Sequence, residues 1–219
     1  METQRLLTVF DMDGVLVPHR SSWRLVHEAL GTNNEDSFLA YMRGEIDDLE
    51  FMERDIALWK GKVDRLDLPL IKGILDKVEP TMGFRECAAG MKGLGSSTVI
   101  ISGGLDILAD RLKILGGFDE AHSNGVEVDG TGMLTGKGVL RVPLNDKGSV
   151  LEQVRSKRHV DTYSIIVGDS VVDISMFRRA DLSIAFRPES RIVSRSADIV
   201  IEEPDLGRIP GIISEELGI

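Results

Sequence analysis

Cysteine is nearly absent. The 219 residues contain only Cys87, so no internal disulfide can form, and a reducing compartment is expected. Long apolar runs are missing as well: none approaches the roughly 20 residues that cross a bilayer. The opening Met1-Glu2-Thr3-Gln4-Arg5 lacks the basic and apolar regions of a secretory signal. The expected location is the cytoplasm, with no membrane partner. Positive charge is scarce. The 26 Lys and Arg against 36 Asp and Glu leave a net charge of −10, which argues against nucleic acid as a partner because it would require a basic footprint. Aromatic residues make up only 5% of the chain, and both tryptophans, Trp23 and Trp59, lie near its start. No internal repeat, low-complexity tract or long linker is present. What is there is an ordinary globular composition, 42% hydrophobic and 28% charged, long enough for one sizeable core with a small accessory lobe.

The chain is organised around Thr8-Val9-Phe10-Asp11-Met12-Asp13-Gly14-Val15, an apolar run that ends in two carboxylates one residue apart. Such a run reads as a buried strand. Acids at its C-terminal end sit where open α/β sheets place their ligands. One acid can attack while the other moves a proton. Like charges this close imply a divalent metal or a raised pKa. Taken alone, Asp-x-Asp-Gly is also an ordinary polar strand end and turn.

From about Pro18 to Pro80 the period changes. Trp23, Val26 and Leu30, then Phe38, Tyr41 and Met42, and then Leu49, Met52, Ile56 and Trp59 recur at three- and four-residue steps, predicting short amphipathic helices. Inserted after the acidic strand end, they are placed to form a lid. An α/β pattern resumes at Gly83. A helix from Phe84 to Leu94 precedes a strand Thr98–Ile101, which ends in Ser102-Gly103-Gly104 before a helix from about Asp106 to Leu115. Backbone N–H groups and a helix dipole make that turn a candidate anion site. Residues 126–142 alternate around Asp129-Gly130 and read as a hairpin without chemistry. Lys147 opens a helix continuing from Val150 to about Ser156; the dipole disfavours a cation there, so a bound anion or the acidic pair should offset it. The strand Tyr163–Val167 runs into Gly168-Asp169-Ser170-Val171-Val172-Asp173, again ending in acids. Their four-residue spacing puts both on one side, as oxygen ligands for Mg²⁺. Strands at Leu182–Phe186 and Asp198–Ile201 and a last helix from about Gly207 complete the pattern.

These signals share one edge in a doubly wound, mainly parallel α/β sheet. As a set, Asp11-Met12-Asp13-Gly14-Val15, Ile101-Ser102-Gly103-Gly104, Lys147 and Gly168-Asp169-Ser170-Val171-Val172-Asp173 resemble the motifs of the haloacid dehalogenase superfamily. The Asp173-Ile174-Ser175-Met176-Phe177 run and the helical insert look most like its phosphoserine phosphatase branch. The resemblance implies a core of residues 1–17 and 81–219 with a helical cap over 18–80. It implies a phosphoric monoester hydrolase: Asp11 attacks phosphorus to give an aspartyl-phosphate, and Asp13 serves as acid and then base. Ser102, Gly103 and Lys147 hold the phosphoryl oxygens. Mg²⁺ is held by Asp11, the Asp13 backbone carbonyl and Asp169, with Asp173 as ligand or support. Monomer and homodimer both remain open.

Members of that branch carry a Glu shortly after the first motif for the substrate ammonium, and an Arg in the cap for its carboxylate. Here Arg20 stands at the first position and Arg54-Asp55-Ile56 falls near the second, while Val172 stands where Asn is common. A guanidinium in place of a carboxylate welcomes a second anion. The expected substrate is thus a small phosphorylated metabolite with a further anionic or polyhydroxy group, contacted by Arg20 and by Arg43 or Arg54. Phosphoserine phosphatase proper, a phosphotransferase or mutase using the same intermediate, and a non-catalytic phosphate-binding protein are the alternatives.

Overall fold

In the computed structural model, which describes residues 5–219, the apolar run Leu6–Phe10 forms β1, and every residue of it is buried. Met1-Glu2-Thr3-Gln4, on which the reading of no secretory signal partly rests, lie outside the described residues. Alternation sends Leu7 and Val9 to one face of the sheet and Leu6 and Phe10 to the other. Both faces are covered, so the strand reads as continuously apolar.

The chain then passes through α1 (Ser22–Leu30), α2 (Glu35–Met42), α3 (Asp48–Lys60) and α4 (Leu68–Leu75). Ser21, Asp47 and Asp67 cap three of these, each side chain accepting from a backbone N–H three residues on. The chain leaves β1 and returns at nearly one point, because Thr81 N–H donates to Leu16 O (2.9 Å) and its hydroxyl to Val15 O (2.7 Å). There follow α5 (Phe84–Gly93), β2 (Ser97–Leu105), α6 (Asp106–Gly116), β3 (Glu120–Val128), β4 (Leu134–Val139), α7 (Lys147–Ser156), β5 (Tyr163–Gly168), α8 (Ile174–Phe177), β6 (Leu182–Phe186), α9 (Arg191–Arg195), β7 (Ile199–Ile201) and α10 (Ile209–Leu217).

The seven strands form one sheet in the order β4-β3-β2-β1-β5-β6-β7. Only the β3–β4 pair is antiparallel. From β1 the chain moves outward through β2 and β3 on one side, then through β5, β6 and β7 on the other. β1 therefore lies where the winding reverses, and the crevice at the strand ends opens there. One face packs on α7, α8 and α9 through Leu151, Val154, Phe177 and Val193. The other packs on α5, α6 and α10, and its apolar cluster runs on without a break into Trp23, Ile56, Trp59 and Ile71 of the inserted helices.

Two elements differ from the sequence reading. β2 continues through Ser102-Gly103-Gly104-Leu105 instead of stopping at Ile101, with a register shift between Ser102 and Leu105 that bends it. β3 starts at Glu120, pairs in parallel with β2, and only its outer half alternates visibly. Pairing beside a buried neighbour makes Glu120–Asn124 a strand despite its weak β-propensity. None of the described helices is long and apolar enough to cross a membrane.

Phe10 is fully buried and meets Phe118 edge-on at 5.7 Å. Phe10→Ala should lower unfolding stability by about 3–5 kcal/mol, read from the denaturant midpoint. Cys87 is buried in α5, and burial, helped by the Asp205 charge, pushes its thiol up to about 12. A thiol reagent should leave the native protein unmodified near neutral pH and titrate one thiol after denaturation; rapid native labelling would contradict this packing.

Candidate active site

Register brings the site together. Phe10 is level with Ile100 on one side and Val167 on the other, so Asp11, Ser102 and Asp169 emerge at the same edge. Asp11 N–H still donates to Val167 O (2.9 Å), holding the residue in line with the strand. Its Oδ1 accepts from Met12 N–H (2.7 Å), and its Oδ2 lies 3.0 Å from Lys147 Nζ. Lys147, first residue of α7, is 1% exposed and also donates to Asp173 Oδ1 at 2.8 Å. These two carboxylates offset the unfavourable placement of a cation at a helix start. Burial pulls the lysine pKa down, but the charges of Asp11 and Asp173 more than compensate and raise it above the ordinary value.

Asp173 is extensively hydrogen-bonded. Its Oδ2 accepts from Asp169 N–H (3.0 Å), Ser170 N–H (3.0 Å) and the Ser170 hydroxyl (2.9 Å). The acid that the sequence offers as a metal ligand thus orients Lys147 and the turn that carries Asp169. Asp169 Oδ2 in turn accepts from Arg20 Nη1 at 2.6 Å, and Arg20 Nη2 donates to Arg187 O at 3.2 Å. Gly14, at φ +83°, leaves the room that Asp169 occupies; a methyl there would overlap the Asp169 carboxylate.

Asp13 is held by the first turn of α1, with Ser22 N–H and the Ser22 hydroxyl both donating to its Oδ2 at 2.9 Å. Its Oδ1 is buried and has no protein hydrogen-bond partner. The Ser22 hydroxyl also accepts from Leu105 N–H (2.9 Å), tying α1 to β2. Gly104 allows this approach, since a methyl there would strike Met12, Asp13 and Ser22. Ser102 is buried, and its hydroxyl accepts from Gly104 N–H (3.2 Å). The neighbouring carbonyls point away from the crevice into donors: Gly103 O receives Trp23 Nε1 (3.2 Å) and Asn124 Nδ2 (3.3 Å), and Gly104 O receives the Ser123 hydroxyl (2.6 Å).

The electrostatics lean negative. Burial and then the Asp173 charge push the Asp11 carboxyl up to about 7, despite Lys147. Burial pushes Asp13 up to about 6 against the lowering effect of the Ser22 hydrogen bonds. Asp169 rises to about 9 through burial and the charges of Asp11 and Asp173, with Arg20 and Lys147 too weak to offset them. Oxygens of Asp11, Asp169 and Asp173 lie within 4.8 Å of one another. An all-oxygen, charge-excess set of this kind fits a hard divalent cation. Asp173, which already accepts four hydrogen bonds, shares this cluster with Asp11 and Asp169.

A cavity of about 830 Å³ joins this edge to the inserted helices, and it is lined by Asp11, Asp13, Arg20, Ser102, Lys147 and Asp169 among others. Arg43 and Arg54 are not brought there. Each is exposed and bound locally, Arg43 to Glu45 (3.3 Å) and Arg54 to Glu50 (2.6 Å). Arg20 does line the cavity, but its guanidinium lies on Asp169. Sequence reasoning missed Ser22, Trp23 and Asn124, which hold Asp13 and Gly103, and Asp48 and Asp55, which also line the cavity. Only the Asp48–Asp55 spacing, a heptad on a helical pattern, carried a local signal.

Residues 8–178 match the sequence model of the haloacid dehalogenase-like hydrolases. A phosphoserine phosphatase of Methanocaldococcus jannaschii is 32% identical over 217 residues, covering 95% of this chain and 98% of that one. A phosphoserine phosphatase of Archaeoglobus fulgidus is 31% identical over 214 residues; the match covers 96% of this chain and 60% of that one. Among solved structures, a phosphoserine phosphatase with an analogue of its phospho-aspartyl intermediate superposes with a TM-score of 0.78 at 29% identity, covering 95% of this chain and 99% of that one. A substrate-bound phosphoserine phosphatase complex superposes with a TM-score of 0.79 at 28% identity, covering 96% and 99%. With its two-way wound sheet, its acids at the ends of β1 and β5 and a profile match over most of its length, the chain belongs to the haloacid dehalogenase-like hydrolases.

Proposed function

We propose that this protein is a Mg²⁺-dependent phosphomonoesterase that hydrolyses a small phosphorylated metabolite through an aspartyl-phosphate. The observation that carries the reading is the pairing of two differently held carboxylates at one cavity edge. Asp11 is fixed beside the Lys147 ammonium, whereas Asp13 is anchored by one oxygen and keeps the other buried and unpartnered. The first arrangement suits a nucleophile and the second a proton carrier.

Asp11 attacks phosphorus as the bond to the alcohol oxygen breaks, and Asp13 gives that oxygen its proton. Water then attacks the phosphorus of the acyl phosphate, Asp13 takes the water's proton, and inorganic phosphate leaves with Asp11 regenerated. A carboxyl pushed up to about 6 is suited to both proton transfers near neutral pH. Ser102, the Gly103 amide and Lys147 neutralise and align the phosphoryl oxygens, which is most of what phosphoryl transfer requires. Asp11, Asp169 and the Asp13 backbone carbonyl would hold Mg²⁺, which would supply positive charge to keep Asp11 ionised and to offset charge on the phosphoryl group. Asp173 positions Lys147. Residues 18–80 act as a cap on a core of 1–17 and 81–219, a division supported by the Leu16–Thr81 closure and by the α1 contacts to Asp13 and Gly103. The phosphoserine phosphatases among the relatives support the ester class.

Phosphate release from a panel of phosphorylated metabolites should require Mg²⁺, stop with chelator, and fall by at least about 10³-fold in Asp11→Asn. Full activity in that variant would remove the nucleophile assignment. Asp173→Asn should lower stability by about 3–5 kcal/mol, because Lys147 loses a buried counter-charge. Its phosphate release should drop with that loss of positioning, while added Mg²⁺ still raises its melting temperature through Asp11 and Asp169.

A further inference from the structure

The peptide between Gly103 and Gly104 is gripped at both ends. Its carbonyl oxygen receives Trp23 Nε1 (3.2 Å) and Asn124 Nδ2 (3.3 Å), and its N–H donates to Ser102 Oγ (3.2 Å). In a trans peptide these two groups lie in one plane and point opposite ways, so fixing the oxygen fixes the hydrogen. Neither glycine has a side chain to steady the plane, and neither has room for one. A methyl on Gly103 would strike Leu144, and one on Gly104 would strike Asp13, Met12 and Ser22. The donors on the oxygen therefore set the orientation. They come from separate parts of the chain, Asn124 from β3 and Trp23 from α1 of the inserted helices.

This series of bonds ends in a hydroxyl at the cavity. Ser102 is 1% exposed and lines the cavity together with Asp11 and Lys147. Because its oxygen accepts from Gly104 N–H, its own hydrogen is directed elsewhere, and among the described residues it meets no acceptor. A buried hydroxyl in that state gains from an acceptor that a ligand brings. Trp23, at the other end, is firmly seated. It is 9% exposed and stacks on the fully buried Trp59 at 5.3 Å, with 25° between the rings. Its neighbour Ser22 is bound to Asp13 and to Leu105 N–H, so the first turn of α1 reaches β2 at Gly103 and again at Leu105. An indole held in this way loses little further freedom in making its bond.

We propose that Trp23 is a positioning residue for the phosphate group: its indole N–H, with Asn124, orients the Gly103–Gly104 peptide so that Ser102 presents its hydroxyl hydrogen to a phosphoryl oxygen. Bonds linked in this way polarise one another. The inference rests on the phosphomonoesterase reading. Trp23→Phe keeps an aromatic ring on Trp59 and removes the N–H. With p-nitrophenyl phosphate and Mg²⁺ it should lower kcat/KM about three- to tenfold, the effect of a single hydrogen bond. In a Ser102→Ala background the same change should cost less than about twofold, since the hydroxyl it acts through is gone. Losses that multiply in full overturn the positioning role and leave the phosphatase reading standing. Should Trp23→Phe fail to fold, heteronuclear magnetic resonance of the nitrogen-labelled wild type reads the same link. Saturating inorganic phosphate should shift the hydrogen-bonded indole N–H of Trp23, which is distinct from the unpartnered Trp59 N–H, and Ser102→Ala should abolish that shift. A Trp23 resonance that phosphate leaves in place, or that still moves in Ser102→Ala, overturns the proposal. A shift that depends on Ser102, in a protein that turns over no ester, sustains the positioning role and removes the hydrolase.

Discussion

A lysine ammonium buried between two carboxylates sets the terms for the rest of the molecule. Removing either partner of such a pair leaves an uncompensated buried charge, at about 3–5 kcal/mol, so the first residue of α7, the end of β1 and the turn after β5 are locked to one another. The lock extends outward through Asp173, whose second oxygen gathers the backbone of Asp169 and Ser170. Asp169 is thereby aimed at Asp11 across the space that Gly14 leaves open. The Asp11 and Asp169 carboxyls stay raised even so, because Lys147, and Arg20 on Asp169, do not offset burial and the mutual repulsion of the acids. The core is therefore built around an excess of negative charge that a divalent cation is suited to offset.

How much of this the chain displays depends on the range of each interaction. Acids after a buried strand are a local pattern, so Asp11, Asp13 and Asp169 are readable from hydrophobic runs that end in carboxylates. Lys147 is readable because it contradicts its own helix, and the structure resolves the contradiction with Asp11 and Asp173. Ser22 and Asn124 are unreadable in isolation, since each acts across a long sequence separation and looks like an ordinary helix start or strand residue. Arg43 and Arg54 fail for the opposite reason. Their partners, Glu45 and Glu50, stand two and four residues away, and an exposed local pair satisfies a guanidinium without any substrate. The extension of β3 back to Glu120 escaped notice because pairing beside β2, and not propensity, makes it a strand.

The hairpin of β3 and β4, which lacks chemistry of its own in the sequence, turns out to brace the substrate side. Leu68 N–H donates to Gly132 O and Leu134 N–H to Leu66 O, both at 3.0 Å, while Gly138 packs against Met52 of α3. Asn124 takes the backbone N–H groups of Arg141 and Val142 at 2.8 Å and passes its own amide hydrogens to Gly103 O and Val142 O. One side chain thus couples the Gly103 segment of β2 to the segment that carries Leu144, whose N–H meets Asp48. The two ends of the cavity are mechanically joined although they are far apart in sequence.

Their charges are opposed in purpose. At the end of β1 the Lys147 ammonium is buried between Asp11 and Asp173; on α3, Asp48 and Asp55 are buried and hydrogen-bonded by Tyr41 and Asn34, with His27 Nε2 3.3 Å from Asp55. Such acids weaken the folded state when nothing occupies the cavity, since hydrogen bonds from Asn34 and Tyr41 do not remove the field of a carboxylate. A ligand with a second anion would meet Asp48 and Asp55 with like charge in a partly water-excluded space, where repulsion is stronger than in bulk water. Arg43 and Arg54 stay at the surface, each paired with a glutamate of its own segment, so neither offers such an anion a counter-charge inside the cavity.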